Sequence, residues 1–258
     1  MPEPHRLRVG WLGHSTVLLE IDGVRLLTDP LFRRRLGHVW RTAPLPRESI
    51  RQVDAVLVSH VHHDHLDLAS LDRVSAPLIV VPRGARRLLG RRSSEIVEVE
   101  EGERVSIGPV EVLASHAEHL ARRMPFTRAV PALGYVISGS TRTYFAGDTA
   151  YFAGMAEVSN LDLALLPVAG WGPRLGPGHL NPFSAADALR LLAPQVAIPI
   201  HWGTYRRLGM SRDPETLRAP AQRFQSCAAL LAPGVDVRIV EPGQHVELLL
   251  GALSAAGR

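Results

Sequence analysis

The sequence predicts an α/β protein folded as a four-layer αββα sandwich. Short apolar runs alternate with turn signals along the chain, helical patterns are fewer, and the second half repeats the style of the first. Strands buried in pairs with helices packed outside them produce this pattern. Val9–Leu12, Thr16–Ile21 and Val24–Thr28 read as strands, with Asp22-Gly23 as the hairpin turn between the last two. Val53–Ser59 and Leu78–Pro82 are further apolar strands, separated by a stretch starting near Asp67 that can be helical. Val105–Ile107 and Val110–Ala114 flank Gly108-Pro109 as another hairpin. Ala132–Ser138 and Thr141–Ala146 follow around Gly139, then Leu163–Pro167, Val196–Ile200 and Val235–Val240. Two helices are signalled clearly. Asn181 is a good N-cap, Pro182 takes the first helical position, and Phe183, Ala186, Leu189 and Leu192 form an inward stripe. The second runs from about Pro220 to Leu231 and stops before Gly234.

The bulk properties narrow the function classes. A chain of 258 residues with no low-complexity segment and no linker reads as a single domain over 1–258. Its apolar content of 46% supports a substantial core. No apolar run approaches the length of a membrane span. Met1 to Val9 is polar, carries His5, Arg6 and Arg8, and has no signal-peptide core behind it, so the cytoplasm is the expected location. One cysteine, Cys227, excludes an internal disulfide and a thiolate zinc cluster. The net charge of +4 is carried by arginine alone, for the chain has no lysine. The arginines cluster in pairs and triplets spread along the chain, and aromatics are only 5%, which argues against a nucleic-acid partner and for solvated surface.

The sharpest chemical signal is Ser59-His60-Val61-His62-His63-Asp64-His65-Leu66-Asp67, directly after an apolar strand. His60 falls at the strand end, and the rest occupy the loop and helix start beyond. Several imidazoles and a carboxylate on so short a stretch can surround metal from adjacent directions, and both are ligands suited to zinc and its neighbours. Composition would give the H-x-H-x-D-H spacing by chance in roughly one chain in a thousand, so a fortuitous polar loop is the poorer account. Tyr144-Phe145-Ala146-Gly147-Asp148-Thr149 places a second carboxylate just past a strand, and Ile198-Pro199-Ile200-His201-Trp202-Gly203-Thr204 places a histidine just past another.

Together His60, His62, Asp64 and His65, then a later histidine, then Asp148 and His201, resemble the ordered motifs of the metallo-β-lactamase superfamily. The resemblance covers nearly the whole chain. Gly13-His14-Ser15-Thr16, Leu27-Thr28-Asp29-Pro30, Phe145-Ala146-Gly147-Asp148-Thr149, Gly178-His179-Leu180-Asn181-Pro182 and Ile200-His201-Trp202-Gly203-Thr204 are similar to the branch that contains N-acyl-phosphatidylethanolamine phospholipase D and the ascorbate-6-phosphate lactonase type. The resemblance implies one metal on His60, His62 and a third histidine, a second on Asp64, His65 and His201, and Asp148 bridging both. For the third histidine His119 is preferred, because Arg122-Arg123 and Ala132-Leu133-Gly134-Tyr135 then fall at the family's approximate spacing; His116 is the alternative. Asp29 resembles the family's first motif and is expected to orient ligands from outside the inner ring. His179, in a Gly- and Pro-rich loop beginning near Trp171, resembles a histidine at the active site of that branch, so Asp64 and His179 are the expected catalytic residues. His14 reads as structural. Leu31 to Pro46, with Trp40, and Leu120 to Pro131 are expected rim loops whose arginines either meet a phosphate or face solvent.

The implied function is a binuclear metal-dependent hydrolase that uses a metal-bridging hydroxide on a phosphodiester or other anionic ester, small or lipid-like. Two divalent ions against Asp64, Asp148 and a hydroxide leave about one positive charge, which favours an anionic substrate. Zinc is the expected ion, with Mn2+ and Fe2+ as alternatives. A lactonase or carboxylic ester hydrolase is the second reading, and a mono-iron dioxygenase of the same fold the third. Assembly into a homo-oligomer is compatible with the sequence.

Overall fold

The structure, a computed structural model, describes residues 5–45, 50, 52–124, 126–170 and 175–250. It opens with the meander β1 (His5–Gly13), β2 (Thr16–Ile21) and β3 (Val24–Thr28), followed by the short β4 (Arg35–Leu36) and β5 (Val39–Arg41). Then come β6 (Ala55–Leu57), α1 (Leu68–Leu71), β7 (Leu78–Pro82), α2 (Arg86–Leu89), β8 (Glu95–Val99), β9 (Arg104–Ile107), β10 (Val110–Ala121), β11 (Val130–Ser138) and β12 (Arg142–Phe145). The chain ends with β13 (Leu163–Pro167), α3 (Pro182–Leu192), β14 (Val196–Ile200), β15 (Tyr205–Arg207), α4 (Pro214–Leu231), β16 (Asp236–Val237) and β17 (Gln244–Leu250).

The strands form two seven-stranded sheets, ordered β17-β1-β2-β3-β6-β7-β8 and β16-β14-β13-β12-β11-β10-β9, and a small sheet β15-β5-β4. Side-chain alternation divides the first sheet between two cores. Val17 and Leu19, Leu26, Ala55 and Leu57, and Val80 point into the large core shared with the second sheet. Their neighbours Leu18, Leu27, Val56, Ile79 and Val81 point the other way, onto Leu71 of α1 and Leu89 of α2. On the far side of the second sheet, Ala185, Leu189 and Leu192 of α3 and Phe224 of α4 complete the large core. The layers are therefore helix, sheet, sheet, helix, as the sequence predicts. Polar links cross between the sheets, among them the Tyr135 hydroxyl, which donates to the Val58 carbonyl at 2.7 Å, and the Leu133 amide, which donates to the Ser59 carbonyl at 2.9 Å.

Several boundaries differ from expectation for local reasons. Asn181 caps α3 through a box with Ser184, as its sequence predicts, but Phe183 is 60% exposed rather than part of the inward stripe. It lies in the first turn, where Ala185 and Ala186 take the buried face instead. α4 begins at Pro214, capped by Asp213, so Pro220 is inside the helix and not at its start. The stretch after Asp67 is one helical turn, and the last predicted strand shrinks to Asp236–Val237. β8 and β17, absent from the sequence reading, carry glutamates and other polar residues that blur the apolar run, yet β17 pairs along the length of β1. Among the described residues no helix is long and apolar enough to cross a membrane.

Candidate metal centre

The predicted ligands come from strand ends that the two sheets bring together. Asp29 follows β3, His60 lies just past β6, Asp148 just past β12 and His201 directly after β14, while His119 lies within β10. β10 runs well beyond its predicted end at Ala114, so both candidates for the third histidine are in one strand. His116 is turned to the surface, where its Nδ1 is 2.9 Å from Glu101 and its Nε2 3.4 Å from Glu118, and it does not reach the other histidines. His119, three residues on and within the irregular stretch where the β10–β11 register shifts between His116 and Leu120, turns inward.

His60, His62 and His119 each aim one nitrogen at a common point: His60 Nε2 is 3.0 Å and His119 Nε2 3.2 Å from His62 Nδ1. The outer nitrogens decide what these atoms carry. His119 Nδ1 lies 2.9 Å from the Gly178 carbonyl, which can only accept, so it holds a hydrogen. The Ser59 hydroxyl donates to Asp29 Oδ2 at 2.6 Å, which leaves its oxygen to accept from His60 Nδ1 at 3.0 Å. Burial keeps these rings neutral: it pushes His60 well below the ordinary imidazole value, His62 down to about 4, and His119 down as well. His60 and His119 therefore present lone pairs, and the three converging nitrogens share at most one hydrogen. That is a donor set for a cation.

The second cluster joins Asp64, His65 and His201 with His14. His65 Nδ1 donates to Asp29 Oδ2 at 2.7 Å and His201 Nδ1 to the Ala169 carbonyl at 2.6 Å, so both rings turn Nε2 inward. Those two Nε2 atoms and Asp148 Oδ1 are buried without a hydrogen-bond partner. They still crowd the carboxylates: His65 Nε2 is 3.2 Å from Asp148 and 3.4 Å from Asp64, and His201 Nε2 is 3.3 Å from Asp148. Burial alone would lower His65, but Asp148, Asp64 and Asp29 drive it well above the ordinary value. Likewise burial would raise Asp64 and Asp148, yet His65 beside the first and His201 and His65 beside the second hold both carboxyls well below the carboxylate range. The pocket demands positive charge, which a divalent ion supplies as well as a proton does. Asp148 also groups with His60 and His65 and with His119 and His179, so it stands between the two clusters. Asp29 adds a third carboxylate, itself fully buried, one imidazole away, so the count that leaves one positive charge holds for the inner ligands only.

The backbone is held in costly conformations here. His14, Asp29 and His201 have φ of 55°, 34° and 67°, a region sparsely used by residues other than glycine. Gly147 has φ +60°, and a Cβ there would stand 2.8 Å from Ser59 Cβ and 3.0 Å from the Leu133 carbonyl. Arg123, expected on a rim loop, instead binds the carbonyls of Leu66 at 2.6 Å and Val61 at 3.1 Å, clasping the histidine-rich loop. Arg33 pairs with Asp67 at 2.7 Å and Arg41 binds the Leu31 carbonyl at 2.9 Å, so these rim arginines serve the fold. His179 is half-buried; its Nδ1 donates to the carbonyls of Gly176 and Pro177, both at 3.1 Å, and its Nε2 is 3.4 Å from Asp148. That contact with Asp148 raises its pKa. Trp171, at the start of the predicted loop, lies outside the described residues. A cleft of about 780 Å³ opens beside His119 and Gly178 and runs toward Glu100, Glu101 and Glu118. His14, read as structural, lies beside Asp64, His65 and His201 in the second cluster, and its sequence signal is a Gly-His pair at a strand end.

Comparison with known proteins shows the family and the fold. A family profile described as "Beta-lactamase superfamily domain" matches residues 24–202. The chain is 32% identical over 250 residues to a "UPF0173 metal-dependent hydrolase" of Methanopyrus kandleri, covering 93% of this chain and 100% of that protein. It is 30% identical over 225 residues to "N-acyl-phosphatidylethanolamine-hydrolyzing phospholipase D 1" of Caenorhabditis elegans, covering 76% of this chain and 63% of that one. Among solved structures, the metallo hydrolase Igni18 of Ignicoccus hospitalis is similar with a TM-score of 0.70 and 24% identity, covering 94% of this chain and 98% of that chain, a likeness of fold alone.

Proposed function

Since the chain belongs to the metallo-β-lactamase superfamily and is a metal-dependent hydrolase, we propose that it works with two divalent ions on a phosphodiester or other anionic ester. The observation that carries this reading is Asp148, whose oxygens stand 3.2 and 3.3 Å from inward nitrogens of His65 and His201 and which also groups with His60 and with His119. His60, His62 and His119 would hold one ion, and Asp64, His65 and His201 the other, with Asp148 shared. Zinc fits this nitrogen-rich set best. Bound there, such ions polarise a substrate oxygen and acidify a water to a pKa of roughly 7.

The chain's own residues then divide the work. Asp29, Ser59, Gly178 and Ala169 accept hydrogen bonds from the outer ring nitrogens, so the inner ones are the nitrogens a metal would meet. His179, with Nδ1 tied to two carbonyls, has Nε2 available beside Asp148 to give a proton to the departing oxygen. The cleft beside His119 has the volume of a small-molecule site. The Caenorhabditis relative, named as an N-acyl-phosphatidylethanolamine-hydrolyzing phospholipase D, supports the phosphodiester reading first and lactones second.

Elemental analysis of the purified full chain tests the reading, followed by assays on bis(4-nitrophenyl) phosphate and a panel of lactones. Two zinc or manganese ions per chain, with phosphodiester turnover that disappears in His62→Ala, is the expected result. Turnover of lactones alone would move the assignment to carbon esters. One iron per chain, with oxygen consumption and no hydrolysis, would overturn it.

A further inference from the structure

We infer that His14 is a positioning residue of this centre, whose Nε2 hydrogen bond orients the Asp64 carboxylate toward His65 and His201. The inference rests on the metal-centre reading above. His14 is 1% exposed, and its Nε2 lies 2.9 Å from Asp64 Oδ2. An ionised carboxylate can only accept, so that nitrogen carries the hydrogen and cannot itself be a ligand. The other contact of Asp64 in the cluster, to His65 Nε2, is longer at 3.4 Å. Asp64 is also the most exposed member of the cluster, on a loop after β6 rather than within a strand. A carboxylate so placed turns about two side-chain bonds unless a donor holds it, and His14 is that donor.

The surroundings of His14 are built for this purpose. Its ring centroid is 3.8 Å from that of His201 and 5.3 Å from that of His65, with the Tyr205 ring edge-on at 5.8 Å. Its backbone sits at φ +55°, after Gly13 at φ +109°, and three hydrogen bonds hold it there. The His14 amide donates to Thr204 Oγ1 at 2.7 Å, and its carbonyl accepts from Trp11 Nε1 at 2.8 Å and from the His201 amide at 3.0 Å. One residue thus holds Asp64 by its ring and His201 by its carbonyl. A histidine that merely filled space at the first strand's end would need neither an N–H aimed at a ligand carboxylate nor a clamp to the strand end that carries another.

The test compares the full-length wild type with His14→Phe, which keeps a ring and loses the N–H, His14→Asn, which suits the left-handed backbone but stops short of Asp64, and His14→Gln, which carries an N–H out to the same distance. Co2+ binding is followed by its visible spectrum and by competition with a chromophoric chelator, and the metal-free proteins are melted to check the fold. The expected result is one of two binding steps weakened about 10–100-fold in His14→Phe and His14→Asn, the other within about twofold, unchanged band positions, and recovery in His14→Gln. If His14→Phe fails to fold, the Asn and Gln pair carries the same comparison. Equal weakening of both steps, no weakening, no recovery in His14→Gln, or band shifts that mark a lost ligand would each overturn the inference. A wild type that binds one ion refutes the two-ion reading separately. His14 is then judged on whether that single affinity falls in His14→Asn and returns in His14→Gln.

Discussion

Asp29→Asn is the substitution that most directly probes how the centre fixes which nitrogen of a ring faces the metal. Asp29 is fully buried; its Oδ1 accepts from the Ser59 amide at 2.7 Å, and its Oδ2 from the Ser59 hydroxyl at 2.6 Å and from His65 Nδ1 at 2.7 Å. Asparagine has the same shape. It retains one oxygen for the Ser59 amide and puts an NH2 where two donors arrive. The hydroxyl of Ser59 can rotate away, but an imidazole cannot, so His65 relieves the clash by moving its hydrogen from Nδ1 to Nε2. That nitrogen faces Asp148 and Asp64, and the lone pair offered to a metal is gone. Losing such an outer partner costs about 10–100-fold in metal affinity, or about 1.4–2.8 kcal/mol at 1.4 kcal/mol per tenfold. The metal-free fold should suffer less. Burial raises the pKa of Asp29, so asparagine removes a desolvation penalty that offsets part of the lost charge-assisted bonds. The assay is zinc competition against a chromophoric chelator, with melting curves taken with and without metal. The expected outcome is a weaker Kd and a smaller rise in Tm on adding metal. A zinc affinity within twofold of wild type would refute the tautomer argument.

Other perturbations test neighbouring parts of the structure. Gly178→Ala puts a methyl 2.9 Å from His119 Nδ1 at a backbone φ of +79°, so it should displace that ring. Chelator titration should show weaker metal binding, and thermal denaturation a loss of about 1–2 kcal/mol from the left-handed backbone. Phe224→Ala removes a fully buried side chain that joins α4 to the second sheet, and urea unfolding should register about 3–5 kcal/mol without change in metal content. His116 is an independent pH probe: partial burial lowers its pKa, but hydrogen bonds to Glu101 and Glu118 outweigh that and raise it above 6.5. The stability it contributes is present below pH 6.5 and lost as pH rises through the higher folded-state value. His116→Ala should therefore lower Tm at pH 6 more than at pH 8, and an equal loss at both would contradict the pairing.

Much of the fold was legible because strands buried on both faces are short apolar runs whatever surrounds them. β2, β3, β7, β13 and β14 match the predicted limits residue for residue. β17 was not legible: Gln244, His245 and Glu247 disguise it, and only the exposed hydrogen-bonding edge of β1 makes it a strand. The start of α4 was misplaced because Pro220 looks like a first-turn proline, while the cap at Asp213 and a second proline at Pro214 begin the helix a turn and a half earlier. Phe183 is apolar and at the predicted spacing, but in the first turn of α3 the small Ala185 and Ala186 take the buried positions and the ring is left 60% exposed.

At the candidate site the sequence by itself determined the residue types, because lone-pair donors spaced along one loop and at strand ends leave few other chemistries open. His60, His62, Asp64 and His65 stand out from their spacing, and Asp148 and His201 join them through the resemblance to the family's ordered motifs. What only the tertiary structure decided is which nitrogen of each ring faces inward, and which histidine joins. Those choices depend on acceptors remote in sequence: Asp29 for His65, Gly178 for His119 and Ala169 for His201. They also depend on the register shift in β10 between His116 and Leu120, around which His116 meets Glu101 at the surface and His119 faces the centre. His14 shows the same physics most plainly. Its chemistry is in the sequence, but its partner is Asp64, fifty residues away, and only the packing of two sheets puts them 2.9 Å apart.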